Sequence, residues 1–158
     1  MLFFQSIFSL LSNKVIIGTL LSSVVAQLLK IVIMGMKNRK LDFSYAFSMS
    51  GMPSGHTSGI VALSTLIGLK AGFDSVLFAF AFCMAVVIMY DAVGVRQQAG
   101  KHAEMLNYLL DKYTVYANEK EDKKKYLKVR LGHTVNEVIG GVVNGLVCAL
   151  VFSWVVGI

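Results

Sequence analysis

Val138–Ile158 reads VIGGVVNGLVCALVFSWVVGI, 21 residues without one charged side chain. A bilayer core is crossed by about 20 apolar residues in a helix. Lipid offers backbone groups no partner, so such a stretch must pair its own N–H and C=O groups. It therefore reads as a transmembrane helix, and three stretches upstream resemble it. Residues 15–34 form one, interrupted only by Lys30; residues 54–69 and 75–90 form two shorter ones. Spans below the usual length are tolerated where they end in a protein-lined cavity. Residues 1–11 set Gln5, Ser9 and Ser12 opposite Phe4, Phe8 and Leu11 at helical spacing, either an amphipathic helix in the membrane interface or the entry turn of the first span. The expected fold is all-α: an integral membrane bundle of about four transmembrane helices plus an N-terminal amphipathic helix.

Composition points the same way. Of 158 residues 56% are hydrophobic and 15% charged, where a soluble domain carries roughly 25% charged residues. That excess of apolar residues excludes intrinsic disorder and argues against a water-soluble monomer. One proline and eight methionines suit long helices, and no repeat or linker divides the single expected domain, 1–158. Cys83 and Cys148 both lie in apolar stretches and read as small buried hydrophobes, not as a disulfide. The opening MLFFQSIFSLLSN has no basic region before its apolar residues and is a poor signal peptide.

Four spans put loops 35–53 and 94–137 on one side of the membrane. Of the 15 Lys and Arg residues, three (Lys37, Arg39, Lys40) fall in the first loop and nine in the second. Lys14 and Lys70 alone flank the other face. The positive-inside rule turns both loops to the cytoplasm, in a multi-pass protein of the cell membrane. This basicity sets orientation, and nothing suggests nucleic-acid readout. Within the long loop, 96–116 is a candidate amphipathic helix, with Met105, Leu106, Leu109 and Leu110 on one side. EKEDKKKYLKVR at 119–130 is a solvated charge run.

Two short motifs carry possible chemistry. In Gly51-Met52-Pro53-Ser54-Gly55-His56, Ser54 is a good N-cap for the next helix. The free N–H groups there suit a phosphate, and His56 is a candidate proton donor to a leaving group; a capped helix with an interfacial histidine explains the same residues. In Gly132-His133-Thr134-Val135-Asn136-Glu137, His133 and Glu137 are four apart, where one helical face would let the carboxylate orient the imidazole. Thr134-x-x-Glu137 is equally a capping box. Lys30 is explained by snorkelling or by phosphate binding beside Lys37 and Arg39. Asp91 and Arg96 form either an ion pair or part of a site. His102 belongs to the polar loop helix, solvated or a ligand; no metal-ligand spacing accompanies it.

PSGH at 53–56, followed far downstream by His133-x-x-x-Glu137-Val138-x-Gly140-Gly141, resembles the type 2 phosphatidic acid phosphatase superfamily. More closely it is similar to that superfamily's divergent branch, small membrane proteins described as acid phosphatase or vanadium haloperoxidase-related. GMPSGH, YDAVGVRQQAGKHAEMLN (90–107) and LGHTVNEVIGG (131–141) carry the resemblance, which covers most of Lys30 to Gly145. It implies a metal-independent, cofactor-free lipid phosphatase hydrolysing a phosphomonoester or pyrophosphate of a phospholipid or polyprenyl lipid. His133 would form a phosphohistidine with Glu137 orienting it. His56 would be the general acid, and Ser54 and Gly55 would hold phosphate oxygens. Lys30 matches the superfamily's first lysine. The superfamily pattern is K-x6-R-P, PSGH, SR-x5-H-x3-D, and departures are visible. Lys37 holds the first arginine position without a following proline, Arg39 lies two residues on, and Glu137 stands for aspartate. Arg130 is only three residues before His133, whereas Arg96 keeps the x5 spacing to His102 with Leu106 at the carboxylate position. Arg96 or Arg130 is expected to complete the phosphate site. The altered arginines leave room for a non-catalytic lipid-phosphate binder, carrier or scaffold, and a phosphotransferase is a third reading. The oligomeric state stays open: a homodimer would help close the site, and Gly140, Gly141 and Gly145 permit close contact either between or within subunits.

Overall fold

The computed structural model describes residues 2–40, 42–47, 50–114, 127, 129 and 132–158. Most of the charge run at 119–130 lies outside these described residues, Arg130 among it. Each core helix begins on a short polar side chain. Asn13 caps α2 (Lys14–Asn38), its Oδ1 accepting from the N–H groups of Val15 and Ile16. Ser54 caps α3 (Gly55–Ala71), Ser75 caps α4 (Val76–Val93), and Thr134 caps α6 (Val135–Val156). A side-chain oxygen there satisfies an N–H that the helix leaves orphaned, which in lipid has no water to turn to. Before them runs α1 (Leu2–Leu11), between α2 and α3 a 3-10 turn (Phe43–Phe47), and after α4 the polar helix α5 (Val95–Thr114).

Where hydropathy fades, the helices do not always stop. The first expected span ends at 34, yet α2 continues to Asn38 because nothing from Gly35 to Lys37 breaks it. Arg39 then turns into the left-handed region (φ 52°) and its N–H bonds back to Gly35 O. The turn at 71–74 is as tight as expected: Gly72 takes φ +93°, and the Ser75 hydroxyl donates to its carbonyl.

The helices alternate in direction. At one end Lys14 Nζ donates to Val156 O, tying the start of α2 to the finish of α6. At the other, Ser54 N–H donates to Glu137 O, tying the starts of α3 and α6. α3 sits at the centre against α2, α4 and α6. Its closest neighbour is α6, which turns Gly141, Gly145, Ala149 and Ser153 inward at four-residue spacing. A Cβ on Gly141 would lie 2.7 Å from Ser54 O, and one on Gly145 2.6 Å from Ser58 O. The small residues are thus used up inside the subunit. Below them, Asn144 Nδ2 donates to Ser58 Oγ (2.5 Å) and Ser22 O (3.2 Å), and the Ser22 and Ser58 hydroxyls lie 2.7 Å apart. Hydrogen bonds of this kind hold helices together where lipid removes the hydrophobic drive between them.

Large apolar side chains point outward instead: Leu20, Val24 and Leu28 of α2, Phe80 and Val87 of α4, Val147 and Val151 of α6. Trp154 is 85% exposed near the end of α6, where aromatic rings favour the membrane boundary. Three segments are long and apolar enough to cross a membrane: Lys14–Asn38, Val76–Tyr113 (which takes in α4) and Val135–Val156. α3 is the exception among the four expected spans, with 17 residues. It starts below a polar cavity and its neighbours cover it, which relieves it of meeting lipid along a full span. Cys83 departs from expectation: it is exposed on α4, because the outer face of this bundle is the apolar one. Methylating the tight contact tests the packing. Gly145→Ala must push α6 off Ser58 O and should cost about 1–3 kcal/mol, read as a lower unfolding midpoint in detergent.

Candidate functional site

His133 does not lie on α6. Thr134 takes an extended conformation (φ −75°, ψ 158°) as N-cap, so the helix starts after it. The expected pairing of His133 with Glu137 on one helical face therefore gives way to a different arrangement. His133 precedes the cap instead, and its N–H donates to Ala92 O at the end of α4 (3.0 Å). Gly132 makes this approach possible: it has φ +83°, and a Cβ would lie 2.6 Å from Gln97 N. Further back, Asn107 of α5 exchanges two hydrogen bonds with the backbone of Leu127, both 2.9 Å.

The capping box forms with both halves. Thr134 N–H donates to Glu137 Oε2 (3.0 Å), and Glu137 N–H donates to Thr134 Oγ1 (3.4 Å). Glu137 is a cap and still a neighbour of His133, on which its charge acts. Beside them opens a cavity of about 310 Å³. α2 lines it with Met34 and Lys37, and α5 with Gln97. Ser50 and Gly51 close one side, and Gly132, His133, Thr134 and Glu137 the other.

His133 is 6% exposed, and its Nε2 is buried without a hydrogen-bond partner. Burial lowers its pKa below the ordinary imidazole value; the Glu137 carboxylate opposes this, and the charges of Lys30, His56 and Arg96 reinforce it. Burial thus favours the neutral form of the imidazole. The unfolded chain binds the proton first, so this group's contribution to stability is present above the ordinary imidazole range and declines as pH falls through it. In any reaction that needs neutral His133, the acid limb of the rate should lie below the ordinary imidazole pKa. Glu137→Gln, which keeps a capping box, should move that limb further down, and Arg96→Gln should move it up. A pH–rate profile of the two variants checks both signs.

Of the expected residues, Lys37, His133 and Glu137 line the cavity, and the other described ones lie around it or elsewhere. Lys30 is 2% exposed, its stem packed beside Gly51, where a Cβ would sit 3.4 Å from Cγ and Cδ. Lys37 faces the cavity. His56, on the first turn of α3, is exposed, and its charge reaches His133. Ser54 and Gly55 are buried behind the cavity wall; Ser54 Oγ accepts from Thr57 N–H (3.4 Å) and Thr57 Oγ1 (3.0 Å). Arg96 is paired with Asp91, Nε to Oδ2 2.6 Å, at the α4–α5 junction. Arg39 caps α2 and is exposed, and His102 is exposed on α5. Arg130 lies outside the described residues. Among the described residues no group of three His, Cys, Asp or Glu side chains gathers as a metal site.

Charge counting passes over Gln97 and Gln27. Gln97 follows Arg96 in the 90–107 motif and contributes a cavity wall. Gln27 has a buried Oε1 without a partner, and its Nε2 would lie 2.9 Å from a Cβ on Gly55. An amide one helical turn before Lys30 in an apolar span was the available signal.

A family model described as the divergent PAP2 family matches residues 11–148. The chain is also 39% identical, over 153 residues, to the uncharacterized membrane protein YuiD of Bacillus subtilis (strain 168), covering 92% of this chain and 97% of that one. No solved structure matches. The match spans both histidine motifs, at the heads of α3 and α6, and makes this chain a member of the divergent PAP2 family of membrane proteins.

Proposed function

We propose that this protein is a metal-independent lipid phosphatase acting through a phosphohistidine on His133. The observation that carries the reading is the buried, unpartnered Nε2 of His133 beside a cavity that Lys37 also lines. Nε2 attacks phosphorus. The P–O bond to the lipid alcohol breaks while protonated His56 gives its proton to the leaving oxygen. Water then attacks the phosphohistidine and returns a proton to His56, releasing inorganic phosphate. Lys30, Lys37 and Arg96 offset charge on the transferring group, the main contribution a protein makes to phosphoryl transfer. Purified protein in EDTA should release phosphate from at least one of phosphatidate, phosphatidylglycerophosphate and polyprenyl phosphates. Silence across that set would sink the reading.

A binder or carrier is the second reading, and two contacts favour it: Arg96 is held by Asp91 and Glu137 by its own helix cap. Such a protein retains lipid phosphate without consuming it. We place α3 as a short fourth crossing and the cavity on the cytoplasmic face, in keeping with the basic loops. Lys112→Cys in a background lacking Cys83 and Cys148 should resist an impermeant maleimide on intact cells and react once they are opened.

A further inference from the structure

Helix α5 carries an apolar face that the bundle does not use. Among the described residues it packs on α4 and on no other helix. At about 100° per residue, Val95, His102, Leu106, Leu109 and Tyr113 fall within an arc of roughly 60°, with Met105 on its flank. All of them are exposed. Single apolar side chains on a surface are ordinary, but a row of them along roughly 27 Å of helix calls for a neighbour other than water.

The remaining sides of α5 have other uses. Gly100 and Ala103 are buried, and Asn107 on the same side exchanges its two hydrogen bonds with Leu127. Glu104 and Asp111 lie nearly opposite the stripe, roughly 160–180° from its centre. Lys101 and Lys112 stand at its edge beyond Met105, roughly 100–120° from the centre. Acids farthest out and lysines at the edge is the charge order of a helix lying in a bilayer surface. There the cations reach anionic headgroups while the acids meet water.

The place of α5 in the chain agrees. Tyr90, 74% exposed on the last turn of α4, puts an aromatic ring where a span meets the headgroups. One turn on, Gly94 leaves the helical region (φ −99°, ψ −92°), so α5 need not continue the axis of α4. The apolar stripe thus begins at the level where the lipid around α4 ends.

We infer that α5 is docked in the surface of the protein's own bilayer at this end of the bundle. Its stripe sits among the upper acyl chains, and Lys101 and Lys112 rest against anionic headgroups. Gln97 belongs to the same helix, so the leaflet also braces the cavity wall that Gln97 supplies. This docking requires no phosphatase chemistry.

The test uses the whole chain in nanodiscs of phosphatidylcholine, with and without phosphatidylglycerol. In a background lacking Cys83 and Cys148, nitroxides on Leu106→Cys and Leu109→Cys should relax with oxygen and be shielded from a water-soluble nickel chelate. Those on Glu104→Cys and Asp111→Cys should show the reverse. Hydrogen exchange reads how firmly the helix is held. With phosphatidylglycerol present, Lys101→Gln combined with Lys112→Gln should lower the protection of amides 104–113 by about thirtyfold and leave α4 unchanged. Each lysine near an anionic surface contributes about a factor of five. Equal access of the chelate to all four positions would overturn the inference, since α5 would then stand in water. So would dipolar coupling between labels on two copies, which would make a second chain the occupant of the stripe. Protection indifferent to both lysines and to phosphatidylglycerol would overturn it as well.

Discussion

His133→Ala should lower phosphate release by a factor on the order of a thousand or more, the loss typical when a covalent nucleophile is removed. The bundle should survive, because His133 precedes α6 and the contacts of that helix with α3 run through Gly141, Gly145 and Ala149. Its backbone bond to Ala92 needs no imidazole. Unchanged thermal unfolding with lost turnover is therefore the expected pair of results. Full turnover in the variant would remove the phosphohistidine from the mechanism. His56→Ala should be strongly impaired for esters with poor leaving groups and less so for an activated aryl phosphate, since a general acid matters most when the leaving oxygen needs a proton.

Gly132→Ala is the second large effect expected, and it acts without touching a reacting atom. The added methyl would stand 2.6 Å from Gln97 N and 2.9 Å from the Arg96 carbonyl carbon, both backbone atoms that cannot swing aside. The φ of +83° is also costly for any residue with a Cβ. The chain must lift from the α4–α5 junction and carry His133 with it. A displacement near 1 Å costs roughly a hundredfold in rate when reacting groups must be aligned. Phosphate release should fall by about that factor while α2, α3 and α6 remain packed, which circular dichroism and unfolding in detergent would show. A fully active Gly132→Ala would mean that the position of His133 does not depend on this crossing.

Much of the architecture was legible because lipid is a demanding solvent. An uncharged run such as 138–158 has one stable way to exist there, and Asn13, Ser54, Ser75 and Thr134 mark where each helix begins. Helix ends were less legible. Hydropathy records where lipid stops, whereas α2 ends where Arg39 turns out of the helix. Cys83 was misread as interior, because an apolar residue on a membrane helix is at home on either face and only packing decides which. The four-residue spacing of His133 and Glu137 suggested a shared face. A capping box starts the helix at Val135 and leaves His133 outside it, so the two groups meet through a turn.

By itself the sequence determined an all-helical membrane protein of the divergent PAP2 family, with its two histidine motifs at the starts of helices. Those features depend on hydropathy, charge and local motifs, all carried by neighbouring residues. Only the tertiary structure decided that Arg96 is held by Asp91 and that Lys30 is buried beside Gly51. It alone put His133 over the α4–α5 junction with Nε2 unpartnered. These relations join residues far apart in the chain, and they exist because the small faces of α3 and α6 bring the helix heads within hydrogen-bond reach.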